Sequence, residues 1–224
     1  MTDRKSRARV DLPYTNLILT GFLGVGKTTI GRHLAETLGA DFFDIDEEIE
    51  LRELMSIAKL RELYGDQRLR ALEHDLSRHA ALMRRSVIVV PGAALLDSRN
   101  YRLLEDTGLI VVLTCELGEA LRRLHLASDL QYRDPTIRRR MMSRLRREHA
   151  IVNDGRLLQL DTTHLGIDEE SELLTALWLT GEPEGDLFRY VPAPPIKPPP
   201  RPAMGLSTRW VGQPESRRQR RGRR

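Results

Sequence analysis

The stretch Gly21-Phe22-Leu23-Gly24-Val25-Gly26-Lys27-Thr28 constrains this chain more than any other. It fits G-x-x-x-x-G-K-[ST], and the pattern has a mechanism. The glycines let the backbone curl until successive N–H groups converge on phosphate oxygens. A helix opening at Lys27 adds its unpaired amides and the positive end of its dipole. Lys27 brings a full charge to β and γ phosphates, and the Thr28 hydroxyl is suited to Mg²⁺. The context agrees. Asn16–Thr20 reads as a strand before the loop, and Lys27–Leu38 as a helix after it, with Ile30, Leu34 and Leu38 on one face and Gly39 as its stop. Gly21, Gly24, Val25, Gly26, Lys27, Thr28 and Thr29 are therefore the expected nucleotide-phosphate contacts.

The rest of the middle alternates short apolar runs with helical stretches, the pattern of a doubly wound parallel α/β sheet. Further strands are expected at Asp41–Ile45, Ser86–Val90, Leu109–Thr114 and Leu157–Asp161. Helices are expected at Ser56–Leu63, Asp66–Met83, Leu117–Leu126, Thr136–His149 and Glu169–Thr180. Five parallel strands with helices on both faces put ligands at the carboxyl ends of the strands. Asp44 and Asp46 follow the second strand. On an extended segment they share a face. One carboxylate could then hold Mg²⁺ through water, while the other orients or deprotonates an attacking hydroxyl. The competing reading is a helix start, with Asp46-Glu47-Glu48 complementing a dipole.

Charge divides the chain. Residues 1–10 carry +3, residues 191–224 carry +8, and the middle carries −7, within a net +4. The basic character thus belongs to the ends, and it gives no reason to expect nucleic acid on the folded part. Eight of the twelve prolines also lie in 191–224, including Val191–Pro202 (VPAPPIKPPPRP), which cannot be a helix interior. We divide the chain into a basic extension (1–14), a phosphate-loop domain (15–182) and a Pro/Arg-rich tail (183–224). The tail is expected to be either solvated or a weak tether to nucleic acid or an acidic partner. No apolar run reaches the roughly 20 residues of a membrane helix. The single Cys115 excludes a disulfide framework and reads as a small packing residue. The expectation is a cytoplasmic monomer without membrane contact.

From Asn16 to about Thr163 the sequence resembles the shikimate kinase family. The resemblance rests on the glycine loop, on IGRHLAETLGADFFDIDEEIE after it, on Ser56-Ile57, and on Gly65-Asp66-Gln67-Arg68-Leu69-Arg70-Ala71-Leu72-Glu73. It implies a P-loop kinase fold with a small helical lid near residues 125–140, using ATP and Mg²⁺ to phosphorylate shikimate in aromatic amino-acid biosynthesis. On this resemblance Lys27 stabilises the transferring phosphoryl group, Thr28 and Asp44 place the metal, and Asp46 orients the substrate hydroxyl. Arg70 and Arg147 clamp the substrate carboxylate, with Arg144 or Arg146 taking the second place if the register slips. Arg133 closes over the phosphates from the lid. Planar guanidinium forks suit a carboxylate.

One segment departs from the family. Its three consecutive glycines after the third strand read Pro91-Gly92-Ala93 here, so that only Gly92 remains as a substrate contact. Pro91 removes an N–H donor and Ala93 adds a Cβ. A catalytically impaired domain of the same fold, serving as a nucleotide-binding sensor, is the alternative this departure raises.

Overall fold

The computed structural model describes residues 16–127 and 134–190. Strands β1 (Asn16–Gly21), β2 (Asp41–Asp44), β3 (Ser86–Val89), β4 (Gly108–Thr114) and β5 (Leu158–Asp161) are parallel. A sixth strand, β6 (Phe188–Tyr190), pairs antiparallel with β5, and the sheet order is β2-β3-β1-β4-β5-β6. The helices are α1 (Lys27–Leu38), α2 (Ile45–Glu53), α3 (Ile57–Ala80), α4 (Gly92–Leu95), α5 (Ser98–Glu105), α6 (Leu117–Ala127), α7 (Pro135–Glu148) and α8 (Ile167–Thr180). A 3₁₀ turn, His149–Asn153, follows α7.

Side chains alternate across the sheet and supply two cores. Ile18, Ile88, Ile110 and Val112 face one layer, where Ile49, Leu60, Leu72, Leu76 and Leu104 from α2, α3 and α5 meet them. Leu17, Leu19, Val87, Val111, Leu113 and Leu160 face the other, against Ile30 and Leu34 of α1 and Leu174, Leu177 and Trp178 of α8. Parallel strands covered on both faces read as continuous apolar runs, as these do. Cys115 is half-buried against the second core, and burial raises its thiol to about 11.

The first strand and helix follow the sequence reading residue for residue at α1, which ends where Gly39 takes up a left-handed conformation. The two expected helices around residue 65 are one axis broken at Gly65, whose φ of 76° and ψ of 176° are not helical. The five parallel strands are those expected, β1 and β4 longer and β2, β3 and β5 shorter by a residue at one end. Helices α4 and α5 and the edge strand β6 were not anticipated, α2 only as the competing helix-start reading of Asp46-Glu47-Glu48, and β6 lies past residue 182.

Asp44 and Asp46 require a correction. They do not share a face of an extended strand, because β2 stops at Asp44 and Ile45 opens α2. Asp44, extended at φ −113° and ψ 118°, is the N-cap. Its Oδ1 accepts from the amides of Asp46 (2.9 Å) and Glu47 (3.4 Å). The helix-start reading of these acids is thus correct for their backbone. Residues 1–15, the stretch 128–133 of the expected lid with its Arg133, and the tail beyond 190 lie outside the described residues.

Candidate active site

Strand β1 lies between β3 and β4, where successive connections run to opposite sides of the sheet, and this is the crevice where such folds hold ligands. The loop after β1 rises into it. Gly24 has φ 93°, and a Cβ there would stand 2.7 Å from the carbonyl oxygen of Ala120, so only glycine fits. Helix α1 begins at Gly26 without a side-chain cap, which leaves its first amides for a ligand. Arg123 fixes the loop from outside. It donates to the carbonyl of Val25 (3.0 Å), to the carbonyl of Thr162 (2.7 Å) and to Glu119 (2.8 Å).

A cavity of about 610 Å³ opens above the loop. Gly24, Gly26, Lys27, Thr28 and Thr29 line it, as expected of the phosphate contacts, and so do Asp44 and Asp46. Thr28 Oγ1 donates to Asp44 Oδ2 at 2.8 Å. A hydroxyl beside a carboxylate oxygen is a hard oxygen donor set, the kind that suits Mg²⁺. Burial, above all, raises the Asp44 carboxyl above the usual carboxylate range. Lys27 is buried, and desolvation lowers its pKa against the opposing pull of Glu148. Its Nζ donates to the carbonyl of Phe22 at 3.0 Å and lies 4.0 Å from Glu148 Oε2.

Glu148 ends α7 and is 2% exposed. Its Oε1 accepts from Arg144 Nε at 2.6 Å, while Oε2 makes no hydrogen bond among the described residues. Arg144 also donates to Asp46. Burial opposes its charge, but Asp46 and Glu148 raise its pKa and keep it protonated. The result is a chain of alternating charge running Lys27, Glu148, Arg144, Asp46 across the loop.

Behind it is a narrow cleft with room for about 10 Å³, lined by Arg61, Glu73, Ala93, Arg147 and the pair Asp46–Arg144. Asp46, Arg144 and Pro91 line both spaces. Burial first, then Asp46, raises the Glu73 carboxyl to about 7, with Arg61 and Arg144 opposing. Arg147 reaches this cleft, exposed, with a bond to Ser143 (2.8 Å). Arg70 does not. It is exposed on α3 and lines neither space. Gly92 is buried for packing: a Cβ would stand 2.7 Å from the Glu148 carbonyl and 3.1 Å from that of Gly21. Pro91 and Ala93, rather than Gly92, face the cleft.

The sequence reading left Arg144 as a register alternative, and it is Arg144 that bonds Asp46. It missed Glu148, and also Glu170, a further acid on the wall of the large cavity. Both were visible as acids on apolar stripes, Met141-Leu145-Glu148 and Glu170-Leu174-Leu177, at helical spacing.

A phosphate loop at the sheet's crevice, with a paired aspartate facing a second, cation-lined cleft, defines a P-loop kinase-type domain. Comparison with known proteins narrows this. Residues 23–171 match the shikimate kinase family, and the chain belongs to that family. It is 32% identical to the shikimate kinase of Geobacter metallireducens over 155 residues, covering 69% of this chain and 86% of that protein. It is 42% identical to that of Geobacter sulfurreducens over 109 residues, 49% of this chain and 60% of that protein. The same fold occurs in a shikimate kinase from Acinetobacter baumannii in complex with shikimate, with a TM-score of 0.61 and 24% identity over 76% of this chain and 96% of that one. Among the described residues no helix is long and apolar enough to cross a membrane.

Proposed function

We propose that this protein is an ATP-dependent kinase that phosphorylates a hydroxyl of shikimate. The observation that carries the reading is the Asp46–Arg144 pair. It lies on the boundary between the cavity over the phosphate loop and the cleft behind it, so a group transferred from one to the other passes beside it. The loop amides and Lys27 bind the phosphates, and the depressed desolvated lysine gains most from a polyanion. Thr28 and Asp44 would hold Mg²⁺, which neutralises charge on the β and γ phosphates when bound. Asp46 orients the acceptor hydroxyl. Arg144 donates to its carboxylate and holds it in place. We assign the substrate carboxylate to Arg147 with Arg61 and Arg144, the cations lining the cleft. Membership of the family and the intact phosphate loop support this assignment.

The test is ADP release from Mg-ATP with and without shikimate. Shikimate should stimulate release, and Lys27→Ala should lower the stimulated rate by at least about a hundredfold. Its melting temperature should stay within a few degrees, since the lost charge is a buried one. Shikimate-independent release would remove the acceptor, and full activity in Lys27→Ala would remove the mechanism.

A further inference from the structure

Helix α7 carries six arginines and one acid, a net +5 within residues 11–190, whose net charge is −7. Its inward side chains are accounted for. Arg144 and Glu148 belong to the charge chain, and Arg147 reaches the acceptor cleft. Arg140 lies 3.4 Å from Glu62 of α3. Arg138, Arg139 and Arg146 differ. They are exposed, they share one face of the helix with Met142, Ser143 and Arg147, and no acid lines the shallow groove between them. No hydrogen bond or ion pair reaches any of the three among the described residues. Elsewhere surface arginines are commonly matched by an acid, as Arg32 is by Glu47, Arg68 by Glu53, Arg99 by Asp97 and Arg156 by Asp154.

An unmatched row of cations raises the local potential and concentrates small anions over it. Position decides which anion. Arg147 lines both this groove and the cleft assigned above to the acceptor carboxylate, and no other residue lines both. None of the groove residues lines the cavity over the phosphate loop. The surplus of positive charge continues to the cleft mouth, where partial burial and the neighbouring Arg61 lower the pKa of Arg147. At 1.5 Å per residue Arg139 stands about 12 Å along the helix from Arg147, within the roughly 30 Å screening length of 0.01 M salt and well outside the roughly 3 Å of 1 M. We infer that Arg138, Arg139 and Arg146 form an electrostatic entry path that draws the anionic acceptor to Arg147 and the cleft, against the negative charge of the rest of the domain. They act before the substrate is seated, so they govern KM and kcat/KM and leave kcat alone. The inference rests on the assignment of that cleft to an anionic acceptor.

The experiment measures shikimate-dependent ADP release by the full chain at saturating Mg-ATP, in about 0.01 M and about 0.5 M salt. Wild type is compared with Arg139→Gln, Arg138→Gln/Arg139→Gln and Arg138→Glu/Arg139→Glu, which remove one, two and four units of charge. At low salt kcat/KM for shikimate should fall in that order, by roughly fivefold or more in the last, with kcat unchanged. At high salt the four proteins should converge to within about twofold. The KM for Mg-ATP should move less, since none of these arginines lines its cavity. A loss that persists at high salt is a packing effect, and an equal loss for Mg-ATP is a general field; either overturns the entry path. So does a kcat/KM that is the same in all four proteins at low salt. Wild type whose ADP release is unmoved by shikimate fails differently, because it removes the kinase reading on which the path rests.

Discussion

Replacing Arg144 by methionine tests the charge chain directly. The side chain of Arg144 is 25% exposed and that of Glu148 only 3%. The substitution leaves Glu148 buried with its 2.6 Å partner gone. Lys27 remains as a counter-charge, but at 4.0 Å it makes no hydrogen bond to Glu148. Breaking one side of a buried pair costs about 3–5 kcal/mol, several times an exposed pair. For a chain of this size about 2–4 °C accompanies each kcal/mol, so the melting temperature should fall by roughly 6–20 °C at pH 7. The assay is thermal unfolding of wild type, Arg144→Met, Glu148→Met and the double variant. The double variant should recover part of the loss, since methionines of similar volume remove both charges but leave Lys27 without Glu148 and Asp46 without Arg144. A fall of less than about 3 °C in Arg144→Met, or a double variant no more stable than it, would refute the claim that Glu148 is a buried ion dependent on this arginine.

Two other predictions concern stability. The folded Glu73 carboxyl sits at about 7 against an ordinary 4.5, so the native state keeps a proton that the unfolded chain has lost between those values. Stability should therefore fall as pH rises through that window, by about 3 kcal/mol at most from this group. Glu73→Gln should flatten that slope and exceed wild type in urea resistance at pH 8; an unchanged slope counts against the burial argument. Leu54 ends α2 at φ 54° and ψ 32° and is 87% exposed. Leu54→Gly relieves a left-handed conformation without losing contacts, and should add about 0.5–1 kcal/mol in urea unfolding. A loss of stability there would mean that the side chain packs after all.

What the sequence made legible follows from how local each signal is. Gly26 and Gly39 bound α1, and Gly65 separates the two halves of α3, because a left-handed or extended glycine interrupts a helix wherever it falls. Helix α2 was legible only as a helix start at its acids, because only Ile45 and Ile49 of its nine residues are buried, too few to give a period. Strand β6 escaped because three residues carry no period either, and its place comes from pairing with β5. The phosphate loop was readable because its chemistry lies in eight consecutive residues. The acceptor side was not, because Asp46, Glu73, Arg144 and Glu148 come from three helices. Which arginine points inward depends on the phase of α7, and a slip of three positions exchanges Arg144 for Arg147. Arg70, named from resemblance, turns to solvent in the structure.

The guanidinium of Arg123 stitches together two distant pieces of chain, the loop at Val25, 98 residues before it, and the turn at Thr162, 39 residues after it. That turn leads directly into Leu165, Ile167 and Glu170. That side of the cavity wall is thereby held to the same frame as the nest of amides that would meet phosphate. A visiting nucleotide encounters one stiff mould, so little ordering entropy need be lost when it settles.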